Sequence, residues 1–172
     1  MDRIYRRLVT GNNASGRSIL VEDAEIRETG GAGNFNFWRT PSRDRVRGPT
    51  GPFPFFPAAD ETVFRMFRIP PDNPAMTRAA IEQVATDFFA ELGDRRCKID
   101  TRRHPLMHAT PTVDYIMLLS GDAALILDEG EPIALKPFDA VVQRGTNHAW
   151  VNTGREDAVF LAVMLGADVA GG

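Results

Sequence analysis

From residue 112 onward, short apolar runs are broken at close intervals by glycine and aspartate, a pattern that predicts successive β-strands rather than helices. Tyr115 to Ser120 reads as a strand closed by Gly121-Asp122, and Ala123 to Leu127 as the next, ending in the turn Asp128-Glu129-Gly130. Strands over Pro132 to Pro137, Ala140 to Gln143, Ala149 to Asn152 and Ala158 to Leu165 complete the series. Six or more short strands so closely spaced indicate a sandwich or a barrel. Upstream, Ser18 to Asp23 and Thr62 to Ile69 read as strands, whereas Gly30 to Pro57 reads as a loop crowded with Gly and Pro. Its aromatic residues (Phe35, Phe37, Trp38, Phe53, Phe55 and Phe56) make it too apolar for a free tail and predict that it is held down by burial. One helix is predicted over Pro74 to Leu92, with Asn73 as N-cap, Pro74 in the first turn and Gly93 closing the end. Ile81, Val84, Phe88 and Leu92 are its expected buried stripe.

The chain has 172 residues, a length that suits one domain with one core. A net charge of -3 gives no basic face for nucleic acid. No apolar run approaches membrane-spanning length, and the N-terminal residues Met1 to Arg7 lack the apolar block of a signal peptide. The single cysteine, Cys97, cannot form an internal disulfide, so a reducing cytoplasmic setting is expected. Arg95, Arg96 and Lys98 beside it would lower its pKa, but with no His or second Cys nearby it is read as an incidental thiol.

All three histidines fall in two segments, His104-Pro-Leu-Met-His108-Ala-Thr110-Pro-Thr-Val-Asp114 and Gly145-Thr-Asn-His148-Ala-Trp-Val-Asn152. Strand alternation puts residues 108, 110 and 114 on one face, so His108, Thr110 and Asp114 can share an interior with His148. Trp150 has the parity of His148 and is expected in the same cavity or in the core, whereas Tyr115 points the other way and is expected to be a core aromatic. His104 is expected at the mouth or surface. Among the arginines, Arg65, Arg68, Arg102, Arg103 and Arg144 are candidates for pairing a carboxylate or phenolate. Gln143 and Asn147 are placed to orient His148, and Asn152 to hold a turn.

These two segments resemble the paired motifs of the cupins, small jelly-roll barrels. His108 takes the first histidine position of the first motif, Asp114 its acidic position in place of the usual Glu, and Gly121 its glycine. Gly145, His148 and Asn152 fit the second motif, with Gln143 where that motif has proline and Phe138 where the family prefers glycine before Asp139. Thr110 stands in the place of the family's second histidine. The resemblance covers residues 104–166 and implies an all-β fold, a double-stranded β-helix barrel. The whole of 1–172 is then one cupin domain, with residues 1–60 as an N-terminal extension and 74–92 as an inserted helix.

The resemblance also implies a function: a metal-dependent enzyme acting on a small organic acid, aromatic or polyketide-like compound, as a dioxygenase, decarboxylase or isomerase/dehydratase. His108, Asp114 and His148 would hold a divalent transition metal (Fe, Mn, Ni or Zn), since neutral Thr110 competes poorly for one. His148, Asp114 and Thr110 would act on the ligand, and Gln143, Trp150 and Arg144 would bind it. Two alternatives stand beside it: a metal-free binding barrel without catalysis, and a metal-independent acid–base enzyme using His148 and Asp114. The expected partners are a small-molecule ligand and a second copy of the chain in a homodimer, with neither nucleic acid nor membrane.

Overall fold

The computed structural model describes residues 3–29, 33–40, 53–91, 97 and 100–167. Ten strands and one helix follow in the order β1 (Tyr5–Asn12), β2 (Ser18–Ile26), β3 (Phe35–Thr40), β4 (Thr62–Ile69), α1 (Arg78–Glu91), β5 (Thr112–Ser120), β6 (Ala123–Leu127), β7 (Ile133–Leu135), β8 (Ala140–Arg144), β9 (His148–Asn152) and β10 (Ala158–Gly166). They form a β1–β2 hairpin, a five-stranded sheet ordered β3-β4-β10-β5-β8 and a three-stranded sheet ordered β7-β6-β9. Every ladder is antiparallel. The architecture is the expected all-β jelly roll.

The period of two explains how the large sheet faces the interior. On β5, Thr112, Asp114, Ile116 and Leu118 are buried while Tyr115 is exposed. Val63, Ile116, Leu118, Leu125, Trp150 and Phe160 from both sheets meet in one apolar core. The expectation of Tyr115 as a core aromatic fails: strand alternation turns it to the outer face of the sheet, where it is 53% exposed.

Two strands were hidden in the sequence. β1 lies where charged residues mask the alternation: Arg6 pairs with Asp23 and Arg7 with Glu22 across the hairpin. β3 lies inside the expected loop, its Phe35 and Phe37 buried against Tyr5. Phe53, Phe55 and Phe56 are half-buried, so the aromatic stretch is held down as expected. Residues 41–52 and the helix-closing Leu92 and Gly93 lie outside the described residues.

The helix begins later than expected. Asn73 caps a separate turn, its Oδ1 accepting from the Ala75 N–H at 3.0 Å. Thr77 is the helix cap instead, its Oγ1 accepting from the Ala80 N–H at 3.2 Å. The buried stripe runs through Ala85 and Phe89 with half-buried Ile81 and Phe88, whereas Val84 is exposed. This face packs on Cys97, Leu106 and Phe56, so Cys97 is a buried core side chain.

Two turns show why the motifs favour glycine. Gly121 has φ +84°, and a Cβ there would sit 2.7 Å from the Asp157 carbonyl oxygen. Phe138 has φ +76° and a side chain 75% exposed, so it bears left-handed strain with little burial to offset it. Phe138→Gly is therefore expected to stabilise the fold by about 0.5–1 kcal/mol, the relief of strain exceeding the added chain entropy, as read from thermal unfolding.

Candidate active site

The interior opens into a cavity of about 450 Å³. Its walls are mostly apolar, with Phe55, Phe67, Phe88, Phe89, Ile116 and Trp150 among them, and its polar groups are few. Of the site residues expected from the sequence, His108, Thr110, Asp114, His148 and Trp150 all line it.

The histidines form a cross-strand pair. His108 and His148 exchange both backbone N–H···O=C bonds at 2.9 Å, and their ring centroids lie 4.5 Å apart. Each Nδ1 sits 2.9 Å from a backbone carbonyl, Leu106 O for His108 and Thr146 O for His148. A carbonyl only accepts, so each Nδ1 carries the proton and each Nε2 keeps its lone pair. Burial lowers the pKa of both, and the neighbouring imidazole lowers that of His148 further, to about 3. Both rings are thus neutral acceptors at physiological pH.

Gln143 and Arg144 do not reach the cavity. The Gln143 amide turns away to donate to Thr146 O at 2.9 Å and to the Thr146 hydroxyl, fixing the carbonyl that holds His148. Its amide is thus committed to the turn that carries His148, and it is not among the residues lining the cavity. Arg144 is exposed, because the strand's parity turns it outward. Asn147 anchors the same turn through Asp100 O and Asp128. Asn152 holds a turn through Ile69 O and Glu156 O. His104 is half-buried outside the cavity, and its Nδ1 accepts from the Leu106 N–H at 3.2 Å.

Asp114 is 4% exposed on the wall formed by the five-stranded sheet. Its Oδ1 has no hydrogen-bond partner. Burial raises its pKa to about 6, against the opposing pull of the Thr112 hydroxyl and the Arg65 charge. Thr110 lines the same cavity, and its Oγ1 shares a hydrogen bond of 2.7 Å with that of Thr112.

The expected metal triad is not grouped: Asp114 stands on the large sheet and His148 on the small one. Among the described residues no three His, Cys, Asp or Glu side chains group to hold a metal ion. Two neutral imidazoles remain, without the carboxylate that would complete a facial triad. The donor set therefore does not fit the expected metal.

Arg65 is a cavity residue that the sequence named only as one arginine among five. It is 4% exposed, and its pKa is lowered by burial to about 10. Arg68 also lines the cavity but is spent on Glu28 and Asp157, at 2.7 and 2.8 Å. Arg102 pairs with Asp100, and Arg103 donates to backbone carbonyls of the turn after β6.

Comparison with known proteins agrees with this geometry. Residues 96–164 match the family described as Cupin domain. Over these residues the chain is therefore similar to a cupin domain. It is 53% identical over 47 residues to Phomopsin biosynthesis cluster protein C' of Diaporthe leptostromiformis, a stretch covering 27% of this chain and 25% of that protein. It is 41% identical over 62 residues to Oryzines biosynthesis cluster protein J of Aspergillus oryzae, covering 34% and 35%. It is 44% identical over 46 residues to the cupin-domain-containing oxidoreductase srdD of Neurospora crassa, covering 27% and 24%. The matched stretches thus span about a quarter to a third of these relatives. Among the described residues no helix is long and apolar enough to cross a membrane.

Proposed function

We propose that the chain is a cupin enzyme of small-molecule metabolism that transfers protons on a largely apolar organic compound, with Asp114 as the acid–base group. The observation that carries this reading is a buried carboxyl with an unpartnered oxygen in the wall of an apolar cavity. The carboxylate would take a proton from a carbon next to a carbonyl, the C–H electron pair forming the enolate. Returning the proton to a different carbon gives isomerisation; expelling a β-substituent gives elimination. His108 and His148, as neutral acceptors, would orient a ligand hydroxyl. Relatives named for biosynthesis clusters support small-molecule chemistry, and a relative named an oxidoreductase supports an enzymatic role. The donor set favours metal-independent chemistry over the metal-centred alternative. The test is deuterium incorporation from D₂O into a panel of small carbonyl acids and aryl ketones. Exchange that survives chelators supports the reading; turnover that needs an added transition metal overturns it.

We further propose that the working form is a homodimer closed over the outer face of the five-stranded sheet. Ladder pairing aligns Val142, Tyr115, Val163 and Phe64 in one apolar row there, ending at β8, the edge strand among the described residues. Val142 is 60% exposed, and an uncharged row meets its own copy about a two-fold axis without like-charge repulsion. Light scattering after size exclusion should give a dimer for the native chain and a monomer for Tyr115→Asp with Val142→Asp. A native monomer at about 100 μM, where even a weak dimer of micromolar Kd would persist, rejects it.

A further inference from the structure

We propose that Arg65 selects the ligand by binding its carboxylate or phenolate oxygen, making the cavity specific for organic monoanions. This deepens the reading of the cavity as a ligand site and rests on it. β4 turns Val63, Arg65, Phe67 and Ile69 towards the interior, so the guanidinium is carried into the barrel among apolar side chains. Of its five N–H donors, Nη2 bonds to Pro54 O at 2.7 Å, while Nε has no partner. The Phe55 ring lies 5.6 Å from the guanidinium carbon.

Among the described residues no carboxylate comes within ion-pairing distance of Arg65, although Arg7, Arg39 and Arg68 each have one. Asp114 acts on it only through charge, because β10 runs between their strands. A buried cation without a bonded counter-ion is unfavourable, and a ligand oxyanion inside the cavity offsets it through charge-assisted, bidentate bonds. Lowered only to about 10, the pKa leaves the group charged at neutral pH. Asp114 and the ligand anion would then compete for one positive charge.

Calorimetric titration of the full chain at pH 7.5 with cinnamate and its neutral isostere cinnamamide tests this. Cinnamate should bind about tenfold or more tightly than cinnamamide, the scale of a charge-assisted bond. Arg65→Met should abolish that preference while keeping cinnamamide affinity within about twofold, as loss of an anion contact alone requires, and Arg65→Lys should restore part of it. Asp114→Asn should tighten cinnamate binding several-fold and leave cinnamamide unchanged. Equal native affinities, no saturable binding of either compound, or a preference that persists in Arg65→Met overturns the proposal. Proton exchange that survives Asp114→Asn while the anion preference stands would defeat the acid–base reading alone.

Discussion

Phe160→Ala is expected to destabilise the protein by about 3–5 kcal/mol, a large share of the roughly 5–15 kcal/mol that holds a domain folded. Phe160 is fully buried near the start of β10, the central strand of the large sheet. Its ring stacks on Phe67 at 4.9 Å between centroids and 8° between planes, and lies 5.3 Å from Trp150 of the facing sheet. One side chain thus joins both layers, and truncation leaves a void that paired antiparallel strands cannot close. Phe160→Leu, which keeps most of the volume, should cost less than half as much, about 1.5 kcal/mol. The midpoint of urea unfolding should fall with an unchanged slope. A loss under about 1 kcal/mol for the alanine variant would show that the two sheets do not rely on this contact.

Phe67, on the other side of that stack, also lines the cavity, and its strand shows where sequence reading reaches its limit. On β4 one phase holds Val63, Arg65, Phe67 and Ile69, and the other holds Thr62, Phe64, Met66 and Arg68. Each phase contains one arginine among apolar residues, so alternation alone does not tell which guanidinium faces the interior. β5 was legible because its phase is tied to the motif carrying Asp114, and the histidine pair was legible because both motifs place it by spacing. What the motifs do not carry is the distance across the barrel. His108 and His148 meet through a local bridge, but Asp114 approaches from the other sheet, and that separation belongs to tertiary packing. Gln143 shows a similar limit: its parity is inward, yet the turn at Gly145 offers its amide the Thr146 carbonyl, a local contact that alternation does not reveal.

Asp114→Asn is expected to lower proton-exchange turnover by about 10²–10⁴-fold, the usual contribution of a positioned acid–base group. The change is nearly isosteric, so the apolar walls should hold and the loss should fall on kcat more than on KM. In the native protein the rate should rise with pH through about 6 and then level, because the base works as carboxylate. The same substitution reads out independently in stability. Folded Asp114 keeps its proton to about pH 6 but releases it near 3.8 when unfolded, so its contribution to stability is present at low pH and lost as pH rises through 6. His148 acts oppositely: the unfolded ring binds a proton near 6.5 and the folded one not until about 3, so stability is lost as pH falls. Between about pH 4 and 6 the two nearly cancel. Removing the carboxyl leaves the histidine unopposed, so the variant's stability should climb more steeply with pH than the native protein's, by about 1.4 kcal/mol per unit. By pH 7 the variant should be the more stable of the two by up to about 3 kcal/mol, since it no longer buries a carboxylate. Urea titrations of both proteins at pH 4.5, 5.5 and 7 measure this; parallel stability profiles would mean that Asp114 titrates as an ordinary surface acid and is not the base.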